Sequence, residues 1–314
     1  MNNFLQNNNS IANLDAAETI FFMQELNRMK TTLYERPLPI LKANELIPVS
    51  RATDKGAETV TYTMFDRTNN GKVISNYADD LPTVEVMGKI ATNPIRSFGD
   101  SFIISVQDLN AARFASRDIF AMKAMAALES HMVWMNNTAF FGIPDCGLTG
   151  WLTNPYIQTA PVAGTPDAQK LWSYKAGVNP DLIMADLKEI ANATMLASSG
   201  LYKANRIVMP LAQYSLIEGL RMGTGTDTTV LEYFTRTTAG VQIFWAEELK
   251  GAFGGKDGMI AYRYREDDFW QEIPLSFEMY APQWNNLAYK VPCHSRHGGT
   301  VVARPETQAI RTGI

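Results

Sequence analysis

The longest run without glycine or proline extends from Asp100 to Phe141. Apolar residues fill it after a polar opening at Ser105, Gln107 and Asp108: Leu109, Ala112, Ala115, Ile119, Met122, Ala126, Val133 and Phe140. Ala, Met and Leu are among the strongest helix formers, so the pattern predicts a helix over most of the run. At 1.5 Å per residue it would measure about 50 Å, more than the width of a compact domain of this size. A rod of that length predicts a spine and not the lining of a catalytic pocket. Its aromatic and methionine side chains, Phe114, Phe120, Met122, Met125, Trp134 and Met135, are expected to pack as core against neighbouring strands.

Upstream, Asp15 to Arg36 has a helical period in Ala17, Ile20, Phe21, Met23 and Leu26, opened by a capping box of Asp15 and Glu18. Arg36-Pro37-Leu38-Pro39 ends it, and an extended arm continues through Ile47 and Pro48. Residues 57–66 then alternate, with Thr59, Thr61 and Thr63 on one face and Val60, Tyr62 and Met64 on the other. Asn69-Asn70-Gly71 predicts a turn and Lys72 to Tyr77 a return strand. Leu81 to Ile90 and Ser101 to Val106 also read as strands. A hairpin with a threonine face cannot bury both sides, so it is expected to project and to be stabilised by partners.

After the spine, residues 142–166 form a Gly/Pro/Asn-rich connection. Asn179-Pro180-Asp181 predicts a helix start, with Ile183, Leu187, Ile190 and Thr194 on one face and Gly200 as the stop. Strands are expected at Arg206–Met209, Val241–Ala246 and Met259–Tyr264, with a helix at Leu211–Arg221. This is an α/β pattern. Beyond Asp267 come short strands around Ile273–Met279, Ala288–Val291 and Thr300–Ala303. There is no internal repeat.

Composition narrows the function classes. Charged residues are 19% of 314, below the roughly 25% of ordinary globular proteins, which favours large protein–protein interfaces. The net charge is −4 with no basic block, which argues against dedicated DNA or RNA recognition while allowing contact with packaged nucleic acid. Two cysteines make no disulfide framework. The Asn-rich start lacks the basic and apolar regions of a signal peptide, and the apolar stretch 119–135 carries Lys123, Glu129 and His131. A soluble protein made in the cytoplasm is expected, without a membrane partner.

Candidate chemistry is sparse. Cys293-His294 with His297, and Cys146 far away in sequence, form one cluster where a zinc site needs two. In Gly251-Ala252-Phe253-Gly254-Gly255-Lys256-Asp257-Gly258, Asp257 follows the lysine where a phosphate loop needs Ser or Thr. Gly223-Thr224-Gly225 lacks the third glycine of a dinucleotide fingerprint, since Thr228 stands there. Both are expected to be loops between elements. Asp79-Asp80, Glu247-Glu248 and Glu266-Asp267-Asp268 are expected to be solvated or interface charges. No catalytic, cofactor-binding or metal residue is assigned.

The order of helical arm, hairpin, spine, α/β domain and returning strands resembles the major capsid proteins of tailed phages, with the Hong Kong-type capsid fold that encapsulins also use. The carriers are Gly147-Leu148-Thr149-Gly150-Trp151-Leu152-Thr153-Asn154-Pro155, Tyr289-Lys290-Val291-Pro292 and Arg296-His297-Gly298-Gly299-Thr300-Val301-Val302-Ala303-Arg304-Pro305, with Gly313-Ile314 at the close. The resemblance implies an α+β fold: an N-terminal helix and arm (1–48), an E-loop hairpin (49–100), a P-domain with the spine helix (101–178), an A-domain (179–267), and returning P-domain strands with the tail (268–314).

It further implies a structural protein and not an enzyme, without cofactor, forming pentamers and hexamers that close into an icosahedral shell around phage DNA. The implied partners are other copies, a portal, scaffolding and decoration proteins, and double-stranded DNA by non-specific contact. The implied location is the virion capsid, assembled in the host cytoplasm. Some capsids of this fold crosslink an E-loop lysine to a neighbour's asparagine with help from a glutamate; Lys72, Asn285 or Asn286, and Glu278 have those residue types. An encapsulin-like compartment, with Ile20, Phe21 and Met23 near a cargo groove, is the alternative. A soluble α/β hydrolase or transferase is a remote third, without a nucleophile or base to name.

Overall fold

The chain divides into two compact units, Met1–Ile40 and Leu41–Ile314. The computed structural model describes residues 40–67, 86–114, 118–162, 172, 179–223 and 225–314. The helix expected over 15–36, and the turn and return strand expected over 69–77, lie outside the described residues.

In the second unit, α1 (Ala43–Leu46) and β1 (Val49–Ser50) lead into an antiparallel ribbon of β2 (Thr59–Arg67) and β3 (Val86–Pro94). Next come β4 (Arg96–Ser105), α2 (Val106–Phe114) and α3 (Ile119–Phe141). A small hairpin of β5 (Gly142–Ile143) and β6 (Leu148–Thr149) precedes β7 (Gln158–Pro161). The α/β segment holds α4 (Pro180–Ala197), β8 (Arg206–Met209), α5 (Leu211–Gly219), α6 (Val230–Thr237), β9 (Gln242–Trp245) and β10 (Gly258–Tyr262). The remaining strands are β11 (Phe269–Glu272), β12 (Leu275–Met279), β13 (Gln283–Asn285), β14 (Ala288–His297), β15 (Thr300–Val302) and β16 (Gln308–Thr312).

Three larger sheets organise these strands. One has the order β7-β16-β10-β8-β9, so the last strand hydrogen-bonds into the sheet of the α/β segment. Its three central strands, β16, β10 and β8, are buried on both faces. Ile207, Met209, Met259 and Ala261 belong to a core under α4, α5 and α6, while Val208, Ile260, Tyr262 and Ile310 face a second core around Trp151. Such two-sided burial explains why β10 reads as an unbroken run, Gly-Met-Ile-Ala-Tyr, without alternation. A second sheet has β14 in its middle, with β4 along one side and β12 and β13 along the other. The third is β1-β11-β15.

The structure bears out the strand expected at Ser101–Val106 and shortens and divides the helix expected over most of Asp100–Phe141. Residues 96–105 are strand β4, paired in register with β14 from Arg96–His297 to Ser105–Ala288. Phe98, Asp100, Phe102 and Ile104 turn inward while their neighbours turn out. Helix propensities differ by no more than about 0.7 kcal/mol per ordinary residue, so a ten-residue ladder with an alternating inner face overrides them. A capping box then opens α2: Ser105 N–H donates to Asp108 Oδ2 at 3.2 Å, and Asp108 N–H donates to Ser105 Oγ at 3.0 Å. The Ser105 backbone N–H, and after it the Ser105 hydroxyl, hold the Asp108 carboxyl below its usual pKa. A second cap, the Asp118 side chain accepting from Ala121 N–H at 3.0 Å, starts α3. The spine proper is therefore 23 residues, about 35 Å long.

Candidate assembly surfaces

The ribbon keeps the expected alternation. Thr59, Thr61 and Thr63 are exposed, whereas Val60, Tyr62 and Met64 are half-buried. Among the described strands β2 and β3 pair only with each other. Thr61 and Thr92 meet across the ribbon at 3.3 Å, and Tyr62 packs edge-on against Trp270 with ring centres 5.8 Å apart. A two-stranded ribbon is marginal in water by itself.

The spine is packed on one side only as far as Met132, whereas Asn136, Thr138, Ala139 and Phe140 in its last turns are all buried. Phe98 stacks on Trp134 at 4.8 Å, His131 meets Phe98 at 4.7 Å and Phe277 at 5.0 Å, and Phe102 meets Phe120 edge-on at 5.6 Å. On the other side Met122, Met125, Leu128 and Met132 follow at helical spacing and are exposed, Met125 by 66%. This corrects the expectation that Phe114, Phe120, Met122 and Met125 are core: all four are exposed in the single chain, and only Trp134 and Met135 are partly buried. The sheet can cover about half of a helix circumference, and Met122 and Met125 fall on the other half, whereas Phe120 keeps its contact with Phe102 of the sheet and Phe114 ends α2.

Where spine meets sheet lies a polar network that the sequence did not reveal. His131 is fully buried, with Nδ1 2.6 Å from Ser295 Oγ and Nε2 3.1 Å from Asp100 Oδ1. The three residues come from α3, β14 and β4, far apart in the chain. Ser, His and Asp in sequence contact resemble a hydrolase constellation, but Ser295 is fully buried and no substrate reaches its hydroxyl. The network fastens the spine to the sheet. Only the inner-face alternation of Cys293, Ser295 and His297 on β14 hinted at it. Burial, together with the Asp100 carboxylate, raises the Cys293 thiol pKa. Burial pushes His297 down to about 4, and its neutral Nδ1 accepts the Gly299 N–H at 2.8 Å.

The other residues singled out by sequence fall as follows. Cys293 is buried, His294 lies on the opposite face of β14, and Cys146 is exposed in a short 3-10 turn. Among the described residues no three His, Cys, Asp or Glu side chains are gathered as a metal site. The glycine-rich segment 251–258 folds around Asp257, whose carboxylate accepts from Gly251 N–H at 2.8 Å and from Gln213 Nε2 at 2.7 Å. At the Gly223-Thr224-Gly225 segment, the Thr226 N–H donates to the Gly223 carbonyl at 3.3 Å.

Among the acidic clusters, Asp79-Asp80 lies outside the described residues. Glu266 and Asp267 are exposed, but Asp268 is a correction: fully buried, it accepts from Arg263 at 2.6 and 2.7 Å and from Arg304 at 3.0 Å. Glu248 is likewise engaged, accepting from Asn136 Nδ2 at 2.6 Å. Lys72 lies outside the described residues. Glu278 sits opposite His294 on β14 and Asn285 opposite Ala288, so within one chain they stand about 20 Å apart.

The segment around Gly147 carries structural necessity. Trp151 is fully buried, with rings of Phe140, Tyr262 and Phe269 at 5.9, 4.9 and 5.5 Å. It reaches that place because Gly150 lets the backbone pass the end of α3: a Cβ there would stand 2.2 Å from the Phe141 carbonyl carbon.

The capsid of a Myoviridae phage, XM1, superposes with a TM-score of 0.81 at 16% identity, covering 93% of this chain and 98% of that one. The capsid of a native GTA particle gives 0.64 at 11% identity, over 92% and 95%. A virus-like particle from Pyrococcus furiosus gives 0.55 at 13% identity, over 85% and 90%. No curated protein matches the chain by sequence. These likenesses show the Hong Kong-type capsid fold. The family model described as major capsid protein matches residues 69–314, from the ribbon to the last residue, and with most of its length covered the chain belongs to the major capsid protein family.

Proposed function

We propose that the chain is the shell subunit of a tailed phage, assembling through pentamers and hexamers into an icosahedral capsid around double-stranded DNA. The observation that carries this reading is the bare methionine and leucine face of α3, opposite the face that packs on the sheet. Apolar side chains at helical spacing, left uncovered by the described residues, are what a subunit keeps for its neighbours. The ribbon of β2 and β3 supports it, because a neighbour would supply the packing that two strands lack.

On this reading the chain divides as its resemblance implied: helix and arm at 1–48, E-loop at 49–100, P-domain at 101–178, A-domain at 179–267, and returning strands and tail at 268–314. The role is mechanical and not catalytic. Portal, scaffolding and decoration proteins are its further partners, and its contact with DNA is non-specific, as a net charge of −4 without a basic block suits. Assembly takes place in the host cytoplasm. Among the described residues no helix is long and apolar enough to cross a membrane.

The test is the particle. Purified chain should form megadalton capsomers or shells by sizing and negative stain, and particles from infected cells should protect DNA from nuclease. A monomer or dimer at every concentration and salt would sink the reading. Shells that enclose protein and no DNA would favour the encapsulin-like alternative.

A further inference from the structure

At the end of the β4–β14 sheet a small apolar socket opens between α2, α3 and β14. Its volume is about 210 Å³, and Ile104, Leu109, Phe120, Pro282, Tyr289 and Val291 line it. Ile104 and Val291 form a buried floor, 2% and 0% exposed, while Phe120 and Tyr289 are each 37% exposed as walls. The β13–β14 turn frames it. Leu287 accepts the Val106 N–H through its carbonyl at 3.0 Å, and Trp284 packs edge-on against Tyr289 at 4.6 Å. An apolar cavity of about 150 Å³ is enough to take up benzene, so this one admits a phenyl ring.

The same chain displays such a ring close by. Phe114, at the end of α2, is 94% exposed, so it touches almost nothing of its own molecule. Leu109 in the socket wall and Phe114 lie on one helix, about 7.5 Å apart in rise. Five residues also turn the helix by about 140°, so Phe114 points away from the socket that Leu109 walls and cannot fill it within one copy; it is the most exposed of the large apolar side chains among the described residues.

We propose that the socket receives the Phe114 ring of a second copy of this chain. Each copy then gives one ring and takes one. Donor and acceptor are different surfaces, so the contact is heterologous, and between neighbours in a closed shell it repeats around a symmetry axis. An aromatic anchor in an apolar pocket, rimmed by partly exposed aromatic side chains, is the usual make-up of an interface hot spot. This inference rests on the shell reading, because it needs many copies held together.

Two measurements test it on the full chain. With p-benzoylphenylalanine at position 114, assembled from a mixture of heavy- and light-isotope copies, irradiation should join different copies at Leu109, Phe120, Tyr289 or Val291. Phe114→Ala should weaken assembly about 10- to 100-fold in critical concentration, with the unassembled subunit melting as wild type does. Cross-links confined to one copy or to other residues, or normal assembly of Phe114→Ala, overturn the socket while the shell reading stands. Wild-type chain that never assembles overturns both.

Discussion

The indole N–H of Trp151 donates to Oε1 of Gln308 at 2.8 Å, joining the connection after the spine to the last strand of the five-stranded sheet. Both residues are fully buried, and the amide Nε2 of Gln308 has no partner among the described residues. Trp151→Phe keeps most of the ring packing but strands the Gln308 oxygen as well. The expected loss is about 1–3 kcal/mol, the cost of an unsatisfied buried acceptor. Trp151→Ala also opens a cavity among Phe140, Tyr262 and Phe269 and should cost about 3–5 kcal/mol. Urea unfolding of unassembled subunits measures both. An unchanged midpoint for Trp151→Phe would show that the bond contributes nothing.

Gly150→Ala should fail more completely, because the obstacle is backbone: the new Cβ would stand 2.2 Å from the Phe141 carbonyl carbon and 2.3 Å from the Gly142 nitrogen. Insoluble or unfolded protein is expected. Gly200→Ala is the control, with φ +87° and nothing within 4 Å, and should cost only about 1 kcal/mol of backbone strain. Soluble yields that rank the two the other way would refute the packing argument.

The contrast explains what could be read in advance. The segment 147–155 marked the fold, but nothing in its letters shows that Gly150 is fixed by the end of α3. The alternation expected over 57–66 is seen from Thr59 to Met64, the Asn179 cap and the strand at 206–209 are as expected, and the strand expected over 259–264 runs from Gly258 to Tyr262, all by local rules. The spine did not follow local rules. Residues 101–105 read as strand and as the start of a glycine-free helical run at once, and only their pairing with β14, nearly two hundred residues away, decides between the two. The same distance hid the contact of Asp100, His131 and Ser295, and the burial of Asp268 between two arginines. The exposed methionines were misread for a different reason: a sequence shows which residues are apolar, not whether the same chain covers them.

His297 gives a pH prediction. Burial lowers its pKa to about 4 from an unfolded value near 6.5, so the unfolded chain binds the proton first. Its contribution is complete above about pH 6.5, is lost as pH falls towards 4, and levels off below. Over that window this one group should remove about 3 kcal/mol. In His297→Gln, with no titrating ring, stability against pH should be flatter between pH 6.5 and 4. Parallel curves for variant and wild type would show that His297 is not the sensor.

Asp186 should act in the opposite sense. Burial, and then the neighbouring Glu189 carboxylate, raise it to about 6, against the lowering effect of the Trp172 indole N–H that donates at 2.9 Å. A carboxyl with a raised folded pKa favours the folded state at acid pH, and that advantage fades as pH rises through 6. Asp186→Asn keeps an acceptor for Trp172 and removes the charge. It should raise the melting temperature at pH 8 and do little at pH 4, by less than about 1 kcal/mol, since the group is partly solvated. Destabilisation at pH 8 would show that the charge is useful there.

The bare face of α3 supports a prediction that separates folding from assembly. Met125 is 66% exposed and Met132 41% exposed, so neither contributes much to the core of its own subunit. Met125→Lys or Met132→Lys should leave the far-UV circular dichroism and melting of the unassembled subunit within about 0.5 kcal/mol of wild type. In an assembly whose neighbour covers this face, the same change buries a charge without a partner, which costs several kcal/mol per contact. Shells should therefore disappear from sizing and negative stain at concentrations where wild type assembles. Met125→Leu, of similar volume and polarity, should assemble normally. If both lysine variants form shells at the wild-type critical concentration, the methionine face points to solvent in the particle, and the surface that joins subunits lies elsewhere.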